Sequence, residues 1–152
     1  MAPESMVHAL KQIQGLLKGG NACTEQSRSG RLLDIHPIGE PAPIYVRLDD
    51  ERHLAGWIQE GSDYEKYAQA SAALDEAVRR GWFRLAERKL ITFATYAPDL
   101  EALRHHLRQN WQDAWIEDLV AMQIENRLSS LAREKEIIVE EQIWLGCYKP
   151  IV

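Results

Sequence analysis

The interpretation of this chain starts from Gly15–Pro37, which has the sequence GLLKGGNACTEQSRSGRLLDIHP. Four apolar residues, the last of them inside this stretch, recur at the three- and four-residue spacing of an amphipathic helix: Met6, Leu10, Ile13 and Leu17. Gly19 and Gly20 predict the end of that helix. A short apolar run, Leu32–His36, then predicts a buried strand that stops at Pro37, because proline cannot donate to a ladder.

Between helix and strand lies a polar segment, Asn21–Gly30, with the sequence NACTEQSRSG. It resembles the short translated repeats that are dispersed in some bacterial genomes. The segment has almost no apolar content and no periodicity, so we expect an inserted surface loop that the fold tolerates. The entropic cost of lengthening such a loop grows only slowly with its length.

Without the insert, LLKGG is followed directly by RLLDIHP. This arrangement resembles the entry to the fifth strand of class I S-adenosylmethionine-dependent methyltransferases, where a helix ending in LLKPGG precedes a strand. The resemblance begins upstream at Met6–Leu10 and continues through most of the chain, but it covers the C-terminal half of that fold only. The glycine-rich cofactor motif of the family belongs to the other half, which this chain lacks.

Downstream, two β-prone runs, Ile44–Leu48 and Leu54–Gln59, predict a hairpin around a polar turn. Further elements follow from apolar periodicity and from capping residues. They are a helix Ser62–Arg80 with Gly81 as its C-terminal stop, a strand Trp82–Tyr96, a helix opening at Pro98, a helix Asp113–Lys135 and a strand Ile137–Tyr148.

The resemblance implies an α/β fold: a partial Rossmann-like sheet of mixed parallel and antiparallel strands, with flanking helices and a β-hairpin insertion. In the family the seventh strand inserts antiparallel between the fifth and the sixth. Carried over by position, the local sheet order is Arg31–His36, Ile137–Tyr148, Trp82–Tyr96. The hairpin is expected to lie over the substrate side of the sheet.

Length and composition predict a single domain over residues 1–152, interrupted by the insert at 21–30. The net charge of −5 and the absence of a long basic run argue against a nucleic-acid partner. No apolar run of membrane-spanning length is present, so we expect no membrane association and a cytoplasmic location. Cys23 and Cys147 are expected to be free thiols in that compartment.

Candidate catalytic residues cluster at the end of the first predicted strand: Asp34, His36 and Glu40. Open α/β sheets bind ligands at such strand ends, and a histidine there could act as a base near neutral pH. The alternative is that Asp34 and His36 satisfy local backbone groups before Pro37. Trp57, Tyr64 and Tyr67 could line a substrate pocket beneath the hairpin, or belong to the core. No metal site is expected.

The missing cofactor motif implies that the chain binds no cofactor and does not methylate by itself. We therefore expect a truncated, non-catalytic, methyltransferase-like protein that forms a homodimer. Its contact is expected to involve the four apolar helix residues named above and the strand Arg31–Ile35, whose neighbour in the family is absent. Two alternatives stay open: half of a split methyltransferase completed by a partner chain that carries the missing half, and a small-molecule binding module.

Overall fold

The computed structural model describes residues 3–18, 30–61 and 63–151. The chain is mixed α/β, as predicted, with four helices among the described residues. In chain order the elements are α1 (Pro3–Lys18), β1 (Leu32–Pro37), β2 (Pro43–Leu48), β3 (Glu51–Trp57), β4 (Gln59–Glu60), α2 (Asp63–Arg79), β5 (Phe83–Ala97), α3 (Leu100–Asn110), β6 (Ala114–Trp115), α4 (Asp118–Leu128) and β7 (Lys135–Pro150). Residues 21–29 of the predicted insert, which include Cys23, lie outside the described residues.

Two compact units make up the described chain. The first takes its residues from Met1–Gly39, Tyr64–Ile91 and Ile143–Val152, and the second from Glu40–Asp63 and Thr92–Gln142. The long strands β5 and β7 therefore contribute one part to each unit.

In the first unit, α1 and α2 pack against one side of β1 and β7. Its core is formed by Leu74, Ala77, Phe83 and Tyr148. The amide of Gln14, buried in α1, donates to the carbonyl oxygens of Trp82 and Ile151, at 2.8 and 3.3 Å. These bonds satisfy a buried polar side chain. They also attach α1 to the residue just before β5 and to the residue just after β7.

The apolar stripe of α1 packs in part within its own unit. Leu10, Ile13 and Leu17 pack, partly buried, against the core of the first unit. Together with Met6 they were predicted to lie at a contact with a second chain, and that contact stays a prediction. Side chains of α2 and of the strands supply this packing.

The end of α2 follows its sequence prediction. Gly81 has a positive φ of 71°, its N–H donates to the carbonyl of Val78, and the N–H of Trp82 donates to the carbonyl of Ala77. These two bonds are those of a Schellman motif, which glycine favours because it lacks a Cβ. The motif turns the chain from the helix directly into β5.

In the second unit, β2 and β3 form the predicted hairpin, with a bulge between Ile44 and Tyr45. The resemblance predicted that this hairpin lies over the sheet, and that prediction is wrong. The hairpin extends the sheet, because β2 pairs antiparallel with β7 from Ile44 opposite Val139 to Leu48 opposite Lys135. The inward residues of this ladder are fully buried beneath α3 and α4: Ile44, Val46, Ile137 and Val139, with Leu103 and Ile124 from the helices.

The predicted helix Asp113–Lys135 is shorter in the structure. Ala114 and Trp115 form β6, which pairs with β4, and α4 begins at Asp118 and ends at Leu128. At the N-terminal end of the predicted helix, pairing with Gln59 and Glu60 thus overrides the helical periodicity. At its C-terminal end, Lys135 already belongs to β7.

The predicted strand neighbours are present, because β7 pairs with both β1 and β5. The pairings whose register is defined in the described chain are antiparallel: β1 with β7, β2 with β3, β2 with β7 and β4 with β6. These ladders therefore do not support the predicted Rossmann-like mixture of parallel and antiparallel strands.

Glu141 interrupts the apolar pattern of β7, and burial raises its pKa above the ordinary 4.5. The folded state therefore holds this proton more tightly than the unfolded state. Relative to the charged form, protonated Glu141 favours the folded state. This contribution to stability is complete below the ordinary pKa and is lost as the pH rises through the higher pKa of the folded state. We expect Glu141→Gln to raise the thermal midpoint near neutral pH and to leave it unchanged at about pH 3, as measured by circular dichroism.

The neighbouring residue provides the control for this substitution. Glu140 accepts from Arg52 at 2.6 Å, so Glu140→Gln should lower the midpoint slightly near neutral pH, where the ion pair exists. A lower midpoint for Glu141→Gln than for the parent at neutral pH would contradict the assignment of a costly buried charge.

Candidate functional site

The two sides of β1 have different surroundings. Successive side chains of a strand point to opposite faces. Leu33 and Ile35 are 68% and 67% exposed, whereas the side chains of Asp34 and His36 are only 14% and 8% exposed, on the face that meets α2. The strand therefore has one polar, buried site and one apolar, open face.

On the buried face, three side chains form a hydrogen-bonded relay. His36 Nδ1 lies 2.9 Å from both carboxylate oxygens of Asp34, and His36 Nε2 lies 2.8 Å from the hydroxyl Oγ of Ser71 on α2. The structure thus brings the predicted pair Asp34 and His36 together and joins Ser71 to it. We call these three residues the relay.

The partners of His36 determine where its proton lies. A carboxylate can only accept, so His36 Nδ1 carries the proton that Asp34 accepts. In the neutral ring Nε2 is then the acceptor, and the Ser71 hydroxyl donates to it. The arrangement Asp–His–Ser, with this tautomer, can withdraw a proton from a serine hydroxyl.

Ser71 was missed by the sequence analysis, although a signal for it exists. It lies four residues after Tyr67 and three before Leu74, so it belongs to the inward stripe of α2. A hydroxyl on a buried helix face requires a polar partner, and that partner is the only histidine of the neighbouring strand.

A buried tyrosine completes the electrostatic surroundings of the relay. Burial raises the pKa of Tyr148, the carboxylates of Asp34 and Asp75 raise it further, and Arg88 acts in the opposite direction. The Tyr148 ring lies over Gly146, where a Cβ would approach a ring carbon to 2.7 Å. Tyr148 therefore remains a neutral phenol.

The other predicted site residues are divided between the two units. Glu40 is exposed and begins the second unit. Tyr64 and Tyr67 lie in the first unit against the turn at Gly39, where a Cβ would meet Tyr64 O and Tyr67 Cβ, both at 3.6 Å. Trp57 ends β3 of the second unit and is exposed.

The exposed side of β1, with Leu33 and Ile35, borders a shallow cavity of about 290 Å³. Its floor is mainly apolar, from Leu33, Ile35, Leu145 and Cys147, with the free thiol of Cys147 among them. Two charged residues of β5 line it as well, and Lys89 Nζ lies 2.9 Å from Glu87 Oε1. We call this surface the open face.

Comparisons with known proteins add no relative. No protein-family model, no curated protein and no solved structure matches the chain. Within the described residues, no group of three or more histidine, cysteine, aspartate or glutamate side chains is arranged to hold a metal ion. None of the helices that the structure describes has the length and apolar character needed to cross a membrane.

Proposed function

We propose that this chain is a truncated, methyltransferase-like protein that does not methylate by itself and acts as an assembly module, forming a homodimer through the open face. The methyltransferase resemblance rests on LLKGG and RLLDIHP around the insert, and is supported by the pairing of β7 with both β1 and β5. In this proposal the chain is a Rossmann-like fragment and uses no cofactor, since the glycine-rich motif is absent from its sequence.

The exposure of Leu33 and Ile35 carries the proposal. Fully burying one such side chain contributes about 1.5–3 kcal/mol, so a strand that presents two of them to water favours association. Within the described residues β1 pairs with β7 alone. Its second edge presents backbone N–H and C=O groups that can pair with another strand.

A second copy of the chain is a suitable occupant because the rim of the open face carries both charges. Glu87 and Lys89 lie two positions apart on β5 and point to the same face. A two-fold axis brings the same patch against itself, so Glu87 of one copy can face Lys89 of the other.

Sedimentation equilibrium at low micromolar concentration tests this proposal. We expect the parent to be a dimer and the double variant Leu33→Asp with Ile35→Asp to be a folded monomer, because buried unpaired carboxylates are costly. Leu16→Asp is the matched control: Leu16 is 79% exposed on α1 and is not among the residues that line the open face, so this variant should remain a dimer. A parent that sediments as a well-folded monomer would refute the homodimer.

The split-enzyme alternative is distinguished by adding a second chain. If the parent is a monomer, and a chain carrying the missing N-terminal half binds it but not the double variant, then the open face accepts that half instead. The third possibility, a small-molecule binding module, predicts that substitutions on the open face leave the oligomeric state unchanged. The cytoplasmic location and the absence of a nucleic-acid or membrane partner stay expectations from composition.

A further inference from the structure

We infer that Ser71 is a nucleophile, activated by His36 and Asp34, that accepts an acyl group from a small activated carboxylic ester. This activity is independent of the assembly proposed above, because the relay lies on the face of β1 opposite to the open face. The nucleophile, its base and the carboxylate that orients the base all come from this chain.

The distances in the relay are those of a nucleophile with its base. Nucleophile and base must lie within about 2.6–3.2 Å, with the base oriented by a third group. Both hydrogen bonds of His36 fall in that range, at 2.8 Å to Ser71 and 2.9 Å to Asp34. His36 is 7% exposed, so its hydrogen bonds are shielded from competition with water.

The helical setting of Ser71 makes this hydrogen bond informative. A serine within a helix commonly donates back to a carbonyl of the preceding turn. Ser71 instead lies 2.8 Å from a histidine nitrogen of another element. Ser71 is less buried than His36, so we expect a small reagent to reach Ser71 more easily than it reaches the base.

The step is a simple acyl transfer. Ser71 Oγ attacks the carbonyl carbon of the ester and His36 Nε2 takes the hydroxyl proton. The bond to the leaving alkoxide breaks, and His36 returns the proton to it. The products are an acyl-serine and the free alcohol, and attack by water then releases the acid and regenerates the serine.

The same helix limits the rate of this reaction. Backbone N–H groups inside an α-helix donate to carbonyls four residues earlier, so α2 supplies Ser71 with no donors for a developing oxyanion. Such donors contribute on the order of 10²–10³ to hydrolase rates. We therefore expect stoichiometric acylation with slow release, rather than rapid turnover.

The experiment uses the full chain, p-nitrophenyl acetate and peptide mapping by mass spectrometry. We expect acetylation at Ser71 at least about ten-fold faster than at Ser129, since general-base assistance contributes on the order of 10²–10⁴. Ser129 is the internal control because its hydroxyl donates to the carbonyl of Asn126 and not to a histidine. Asp34→Asn should remove most of the advantage by favouring the wrong tautomer, and Ser71→Ala should abolish the burst of p-nitrophenolate.

Two results would overturn the inference: acetylation of Ser71 no faster than that of Ser129, or an unchanged rate in Asp34→Asn. Circular dichroism establishes that each variant is folded. Should Ser71→Ala be unfolded, Ser71→Cys replaces it. His36 should then make the introduced thiol react faster with iodoacetamide than Cys147 does, and equal rates would also refute activation.

Discussion

Phe83→Ala is expected to lower the free energy of unfolding by about 3–5 kcal/mol, a large part of the total of about 5–15 kcal/mol for a domain. Phe83 is 1% exposed and lies among the largest fully buried side chains. It packs with Leu74, Ala77 and Tyr148, the residues that join α2 to the strands of the first unit. Truncation removes the ring from this cluster and leaves a cavity that the surrounding backbone fills only in part.

Urea titration followed by circular dichroism measures this loss, and the same strand offers a matched control. Phe93 is also on β5 but is 54% exposed, so Phe93→Ala should change stability by less than about 0.5 kcal/mol. If the two variants lost similar stability, the first unit would not depend on the core that the structure assigns to it.

The local elements of this fold were predictable because local rules determine them. The apolar spacing of α1, the proline that ends β1 and the glycine after α2 each act within one or two turns of chain. Gly81 is the clearest case, since its positive φ and both Schellman bonds follow from the residue type and position alone.

What the sequence did not indicate depends on distant pairing. Gln59 and Glu60 convert Ala114 and Trp115 from predicted helix to strand, and β7 incorporates the predicted hairpin into the sheet. No residue of these segments carries a local sign of its partner. The packing of Leu10 and Ile13 against the core of the first unit likewise depends on residues that are distant in sequence.

The candidate site was half predictable for the same reason. Asp34 and His36 lie two positions apart on one strand, so strand geometry alone places them on one face. Ser71 joins them from α2, 35 positions further along the chain. Recognising it requires knowing that this turn of α2 packs over the end of β1.

Asp49→Ala is expected to destabilise the second unit by about 1–3 kcal/mol. Asp49 begins the turn between β2 and β3 and has a positive φ of 52°, a conformation that aspartate adopts more readily than alanine. Its Oδ1 accepts from the N–H groups of Arg133 and Glu134, both at 3.0 Å. Its own N–H donates to the carbonyl of Glu134 at 2.8 Å. The residue therefore anchors the hairpin to the start of β7.

Two variants separate the roles of charge, acceptor and backbone in this anchor. Asp49→Asn keeps an acceptor oxygen and the tolerance for positive φ, so it should retain most of the stability. Asp50→Ala alters the adjacent exposed turn position and should cost less than about 0.5 kcal/mol. Urea midpoints for the three variants give the comparison. Equal losses in Asp49→Ala and Asp50→Ala would show that turn propensity, and not the two bonds to the chain before β7, sets the contribution of Asp49.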